Sequence, residues 1–203
     1  MAGFLCMKIT LAIDTATART QFALISGDQL LWQEIEDGAT THGDVLAKFG
    51  QRAAREKIDQ VIVGMGPGPF TGLRTGIIFA KTFAFARGLT LQGVCSLDAI
   101  AHGIDLPEFV VATDARRKEL YWAKYVNGKR AGQPVVTSPS ELPKLPIFGE
   151  GATKYSLTTD TEHLYPKLIS FPQLIQVNEN IVEPMYLRHP DAVPMSEQKA
   201  VRK

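Results

Sequence analysis

Val61-Ile-Val-Gly-Met-Gly-Pro-Gly-Pro-Phe-Thr-Gly-Leu-Arg-Thr-Gly-Ile-Ile-Phe-Ala-Lys81 joins a short β-branched run to a glycine and proline turn and then to a long helix. The order is strand, turn, helix. A glycine-rich turn entering a helix ordinarily suggests phosphate binding, because unpaired backbone N–H groups and the helix dipole favour an anion there. Pro67 and Pro69 remove two of those donors. A P-loop needs G-x-x-x-x-G-K-[ST], whereas Leu73-Arg74-Thr75 follows Gly72. A dinucleotide fingerprint needs an acidic residue about 20 residues on, and residues 89–94 contain none.

The helix is apolar on more than one side. At 3.6 residues per turn Leu73 and Ile77 share one side, Ile78 and Phe85 lie about 100° or more away, and Phe79 and Phe83 occupy a third. Gly72, Gly76, Ala80 and Ala84 repeat every four residues, which permits close approach of another element, while Arg74 and Lys81 share a narrow stripe. Two placements of the small residues are open: against a partner's helix, or against the chain's own sheet. A helix apolar all round needs protein on its second side as well as its first.

Outward from this segment, residues 8–13, 20–25 and 30–35 read as three strands, the last two joined by the turn Ser26-Gly-Asp-Gln29. Residues 42–57 carry Val45, Leu46, Phe49 and Ala53 at helical spacing. After the long helix come a strand at 89–95 and a short helix with Ser96 as its candidate N-cap, ending near Gly103. The order β-β-β-α-β-α-β-α is that of the ribonuclease H-like fold of the actin/Hsp70/sugar-kinase superfamily, an α/β mixed sheet with helices on both faces. Residues 1–104 are expected to form this lobe, 105–188 a smaller second lobe, and 189–203 a flexible basic tail. Strands are expected at 109–113 and 119–126, a turn at Asn127-Gly128, and a short capped helix near Ser138.

Composition limits the function. Lys and Arg number 22 against 21 Asp and Glu, so no global basic field holds nucleic acid, and RNA contact would have to be local or shared. Two cysteines, Cys6 and Cys95, are too few for a disulfide framework or zinc cluster and suit a reduced cytosol. No convincing signal peptide or membrane span is present, and a cytoplasmic location is expected. His42, His102, His163 and His189 form no helical metal pair. Asp98, Asp114 and Glu119 stand as isolated carboxylates, G-x-S-x-G is absent, and no catalytic constellation emerges. Asp14-Thr15-Ala16-Thr17 ends the first strand where this superfamily places a phosphate loop; Ala16 stands where such loops carry glycine. Asp14, Thr15 and Thr17 form either a degenerate nucleotide site or a set of local backbone caps. Arg116, Arg117 and Lys118, beside Tyr121 and Trp122, are either a patch for phosphate or an acidic surface, or a solvated charge run.

Gly66-Pro-Gly-Pro-Phe-Thr-Gly-Leu-Arg-Thr-Gly76 resembles the G-P-G-S-F-T-G-L-R-I-G motif of the bacterial TsaB (YeaZ) family, paralogues of TsaD. Ile13-Asp14-Thr15, Asp114-Ala-Arg-Arg117 with Tyr121, and Pro184-Met-Tyr-Leu-Arg188 extend the resemblance over nearly the whole chain. It departs at Pro69, Thr75 and Thr41-His-Gly-Asp44, where the family more typically has Ser, Ile and H-S-E-R. The resemblance implies a non-catalytic subunit of the machinery that places threonylcarbamoyl on the adenosine adjoining the anticodon of tRNA. Its implied partners are a TsaD homologue, which holds the metal and the transfer chemistry, a TsaE-type ATPase, tRNA through the complex, and a second copy of the chain when alone. It implies no cofactor, with a nucleotide at a subunit boundary left open. Gly72, Arg74, Gly76, Ile77, Lys81 and Phe83 are the candidate partner interface. Two alternatives remain: a small actin-like ATPase or kinase acting by itself, and a self-associating module outside RNA modification.

Overall fold

The computed structural model describes residues 8–38, 42–158 and 160–188. Strands β1 (Ile9–Asp14), β2 (Arg19–Ser26) and β3 (Gln29–Asp37) form an antiparallel meander, followed by helix α1 (His42–Ala53). Strand β4 (Gln60–Gly64), helix α2 (Phe70–Arg87) and strand β5 (Thr90–Val94) then add two parallel strands beside β1, for the order β3-β2-β1-β4-β5. The period of two along β1 decides what covers each face. Leu11 and Ile13 join Phe22, Leu46, Phe49, Leu73 and Ile77 beneath α1 and α2. Ala12 and its register partner Ala23 point the other way, and their small side chains leave room for Phe171 and Leu168.

Both helix ends have identifiable causes. α1 stops at Ala53, short of the expected Lys57, in tighter three-residue turns from Arg55 N–H to Arg52 and Glu56 N–H to Ala53. The Arg87 guanidinium donates to the carbonyls of Ala53, Ala54 and Glu56, which an uninterrupted helix would have used itself. α2 ends at Gly88, left-handed at φ 64°, whose N–H reaches the Phe85 carbonyl while Leu89 N–H reaches Ala84.

The chain continues through α3 (Ser96–Ala101), β6 (Glu108–Asp114), β7 (Leu120–Val126), β8 (Lys129–Arg130), β9 (Val135–Thr137), β10 (Ile147–Phe148), α4 (Glu150–Lys154) and α5 (Phe171–Val177). β10 lies parallel to β6, β6 antiparallel to β7, and both β8 and β9 pair with β7. Asn127 and Gly128 form the β7–β8 turn, both with positive φ. The capped helix expected near Ser138 is a single 3-10 turn, Pro139–Glu141, with the Glu141 carboxylate accepting from Ser138 N–H and Oγ.

Within residues 105–188, the 3-10 turn Leu168–Ser170 and α5 pack on the first sheet. Without Leu168, Phe171 and Leu174, the face formed by Ala12, Ala23, Ile25 and Ile62 would stand in water. The strap after α5 continues along the same sheet: Ile181 N–H donates to the Gly93 carbonyl, Gly93 N–H to Asn180 Oδ1, and Met185 N–H to the Met65 carbonyl. The tail 189–203, Cys6 and Thr41 lie outside the described residues. The mixed five-stranded sheet covered on both faces is the ribonuclease H-like fold.

Candidate functional site

Strand β1 carries Asp14 into the interior, where it is fully buried. Its Oδ1 accepts Ala16 N–H at 2.9 Å and its Oδ2 accepts the Ser96 hydroxyl at 2.6 Å. Ser96 is thus the first helical residue of α3, not the expected cap; Cys95 occupies the cap position. Burial pushes the Asp14 carboxyl up to about 6, against the pull of Ser96 and Ala16 in the opposite direction. The loop after Asp14 is already filled by the chain itself. A Cβ on Gly68 would run into the Ala16 carbonyl, with its carbon 2.9 Å away, so the proline turn passes directly over the loop where phosphate would approach. Thr15 Oγ1 donates to the Gly72 carbonyl at 2.9 Å, and Thr17 Oγ1 accepts Arg19 N–H at 3.2 Å. Each of the three expected phosphate-loop residues therefore holds a hydrogen bond within the chain.

The small-residue stripe of α2 faces inward. Gly72 packs near Thr15 and His42, a Cβ on Gly76 would clash with Thr15 Oγ1 and stand 2.9 Å from its Cγ2, and Ile77 lies in the core. These three expected interface residues are therefore covered by their own chain. The reason is non-local: Thr15 projects onto the helix from a strand end 57 residues earlier. Arg74 and Lys81 are exposed, and Phe83 is half-buried, stacked on Phe79 at 5.9 Å. Between and beyond the two cations on the same stripe stand Ile78, 50% exposed, and Phe85, 89% exposed. Positions 74, 78, 81 and 85 follow i, i+4, i+7 and i+11, which places all four side chains within one narrow sector. Reading the cationic stripe through to its apolar members would have found Ile78 and Phe85.

The Arg116–Lys118 loop meets the turn entering α2 across a cleft between the sheets. Arg116, Arg117 and Lys118 all have left-handed backbones, at φ 58°, 52° and 62°, closed by Glu119 N–H to the Arg116 carbonyl. Three consecutive non-glycine residues there are costly, at roughly 1–2 kcal/mol each. The loop is held at both ends: Asp114 Oδ1 accepts Arg116 N–H, and Arg188 donates to the Ala115 carbonyl while pairing with Glu119. Arg116 and Arg117 line a cavity of about 450 Å³ with Arg188, Tyr121, Phe70 and Tyr186, whose last two rings lie 4.9 Å apart. Arg116 also lines a neighbouring cavity of about 290 Å³ with His42 and Glu150. His42 Nδ1 meets Thr20 Oγ1 at 2.6 Å; burial, and then the Arg116 charge, lower its affinity for a proton. Burial raises the Glu150 carboxyl. Among the described residues no group of three or more His, Cys, Asp or Glu side chains is placed to hold a metal ion. Nor is any described helix long and apolar enough to cross a membrane.

A ribonuclease H-like domain whose Asp14–Thr17 loop is closed by its own chain, with an exposed cationic and apolar helix stripe, defines the class. The model of the family described as TsaD, tRNA N6-adenosine threonylcarbamoyltransferase, matches residues 44–183, and the chain belongs to the TsaB/YeaZ-like branch of that family. An uncharacterized protein of Mycobacterium leprae is 36% identical over 94% of this chain, which spans 57% of that relative's length. An uncharacterized protein of Mycobacterium tuberculosis H37Rv is 35% identical, with 94% of this chain and 96% of the relative covered. The tRNA threonylcarbamoyladenosine biosynthesis protein TsaB of Escherichia coli K12 is 32% identical over 57% of this chain and 54% of its own length. The solved structure of YeaZ from Pseudomonas aeruginosa superposes with a TM-score of 0.72 at 24% identity, covering 89% of this chain and all of that one, a likeness of fold.

Proposed function

We propose that the chain is a cytoplasmic, non-catalytic partner subunit. It binds a TsaD homologue and supports transfer of a threonylcarbamoyl group to the adenosine adjoining the anticodon of tRNA. The observation that carries this reading is the outer stripe of α2, where Ile78 stands exposed between Arg74 and Lys81 and Phe85 stands exposed one turn beyond Lys81. Fully burying a side chain of either type is worth about 1.5–3 kcal/mol, so a partner covering both gains appreciably from a small area. Arg74 and Lys81 on the same stripe call for an acidic complement on that partner and set its register. The filled loop at Asp14–Thr17 supports a supporting role rather than nucleotide turnover by this chain. A TsaE-type ATPase joins the complex, tRNA enters through it, Arg116–Lys118 lie on the side offered to phosphate, and in the absence of a partner two copies pair through the same stripe.

Size-exclusion chromatography with light scattering tests this on the chain alone and mixed with the TsaD homologue of the same cell. A heteromeric complex should form at the expense of the free species. It should be lost in the double variant Ile78→Glu, Phe85→Glu, whose circular dichroism and melting stay those of the parent. An unchanged complex mass in that variant rejects the interface, and ATP turnover by the chain alone would favour an ATPase instead.

A further inference from the structure

The strap also lines a larger cavity, about 910 Å³, that none of the roles above employs. Its floor is polar and buried. Asp98 on α3 is 6% exposed; its Oδ1 accepts Tyr125 Oη at 2.7 Å and Arg130 Nε at 2.8 Å, and its Oδ2 accepts Asn178 Nδ2 at 3.2 Å. Burial pushes the neighbouring Cys95 thiol up to about 12, so it adds no charge. Val94, Leu174, Ile181, Val182 and Met185 give the lining an apolar part, beside polar side chains that include His102, Gln133 and Asn180. A concave site of this size, with an apolar part and convergent polar groups and set between two sheets, suits a small molecule.

The floor also selects the chemistry. A carboxylate offers about four lone-pair positions, and Asp98 uses two on Oδ1 and one on Oδ2. Arg130 donates through Nε to Asp98 and through Nη1 to the Gly132 carbonyl, leaving Nη2 with no hydrogen bond to a described residue. An acceptor on Oδ2 and a donor on Nη2 therefore lie on neighbouring groups of one ion pair. The lining sets the carboxylates Asp98, Glu179 and Glu183 beside the cations Arg130 and Lys129, so a full charge of either sign meets repulsion as well as attraction there. We propose that this cavity binds a neutral small molecule with an apolar body and an amide-type edge, donating N–H to Asp98 and accepting from Arg130. The strap residues Ile181, Val182 and Met185 form one wall and lead into Tyr186 and Arg188, so an occupant braces the segment that closes the Arg116 loop.

Uracil, whose lactam edge carries such a donor and acceptor pair, is the probe, and 1,3-dimethyluracil, which has no N–H, is the control. Titrated at millimolar concentration into the full chain labelled with nitrogen-15, uracil should shift the Arg130 Nε and Asn178 side-chain resonances. The dimethyl compound should bind at least about tenfold more weakly, the penalty of leaving a buried acceptor without its donor. Val182 stands at the mouth and is 65% exposed, so Val182→Trp should fold as the parent does and lose the uracil shifts. No shift with uracil, equal binding of the two compounds, or unchanged uracil shifts in Val182→Trp would each overturn the site and leave Asp98 and Arg130 as a purely structural pair. None of these outcomes bears on association through α2, so this inference and the subunit role fail separately.

Discussion

Replacing Asp14 by Asn isolates the electrostatics of the filled loop. The carboxyl titrates at about 6 in the folded chain against an ordinary value of 3.8, chiefly because burial opposes its charge. Folding therefore takes up a proton between these values. The stability this group contributes is fully present below pH 3.8 and is lost as pH rises through about 6. The whole shift corresponds to roughly 3 kcal/mol, of which about 2 kcal/mol falls between pH 4.5 and pH 8. Asn keeps the shape and carries no charge at either pH. Its Oδ1 accepts Ala16 N–H as before, and its amide faces Ser96 Oγ. An amide hydrogen left without a partner subtracts a constant amount, about 1–3 kcal/mol, so the informative quantity is the change with pH. Urea unfolding of parent and Asp14→Asn at pH 4.5 and pH 8 should show the variant gaining about 2 kcal/mol on the parent over that interval. If the difference between them were the same at both pH values, Asp14 would be titrating as an ordinary carboxylate, and burial could not be what sets its charge.

Gly76→Ala places a methyl against Thr15 and should cost about 1–3 kcal/mol in urea unfolding through overpacking; a neutral result would mean that the α2 stripe does not press on β1 as described. Lys118→Gly should be neutral or raise stability by about 0.5–1 kcal/mol, because glycine accepts a φ of 62° without strain; a loss above about 1 kcal/mol would show that the left-handed turn is not strained. Arg188→Ala removes the hydrogen bond to the Ala115 carbonyl and the pair with Glu119. Amide exchange should then quicken at Ala115 and Glu119 while the β1 and β4 amides keep their protection, and uniform quickening would count against a local clasp.

The parts of the fold legible in the sequence are those written in local pattern. The strand, turn and helix of residues 61–87 follow from a β-branched run, two prolines and a glycine stop, and three strands and a helix before them follow from periods of 2 and 3.6. What could not be read depends on contacts far apart in the chain. Ser96 has the chemistry of an N-cap, but its hydroxyl is taken by Asp14, 82 residues earlier. Residues 116–118 contain no glycine or asparagine to announce a left-handed turn; Arg188, more than 70 residues later, helps to hold it.

The same limit governs the site. On a helix apolar all round, angular spacing separates the sectors without saying which one meets the sheet, and the small residues at 72 and 76 suit either side. Thr15 decides the matter, since its side chain occupies the volume that a Cβ on Gly76 would need, and once that sector is committed inward the opposite one must carry Arg74, Ile78, Lys81 and Phe85 to the surface. Gly72 and Gly76 therefore seat α2 on the Asp14–Thr17 loop, with Leu73 turned into the core and Arg74 turned outward. Filling the loop and presenting the stripe are two consequences of one packing arrangement, which is why a substitution at Gly76 should be felt first as lost stability and one at Phe85 first as lost association.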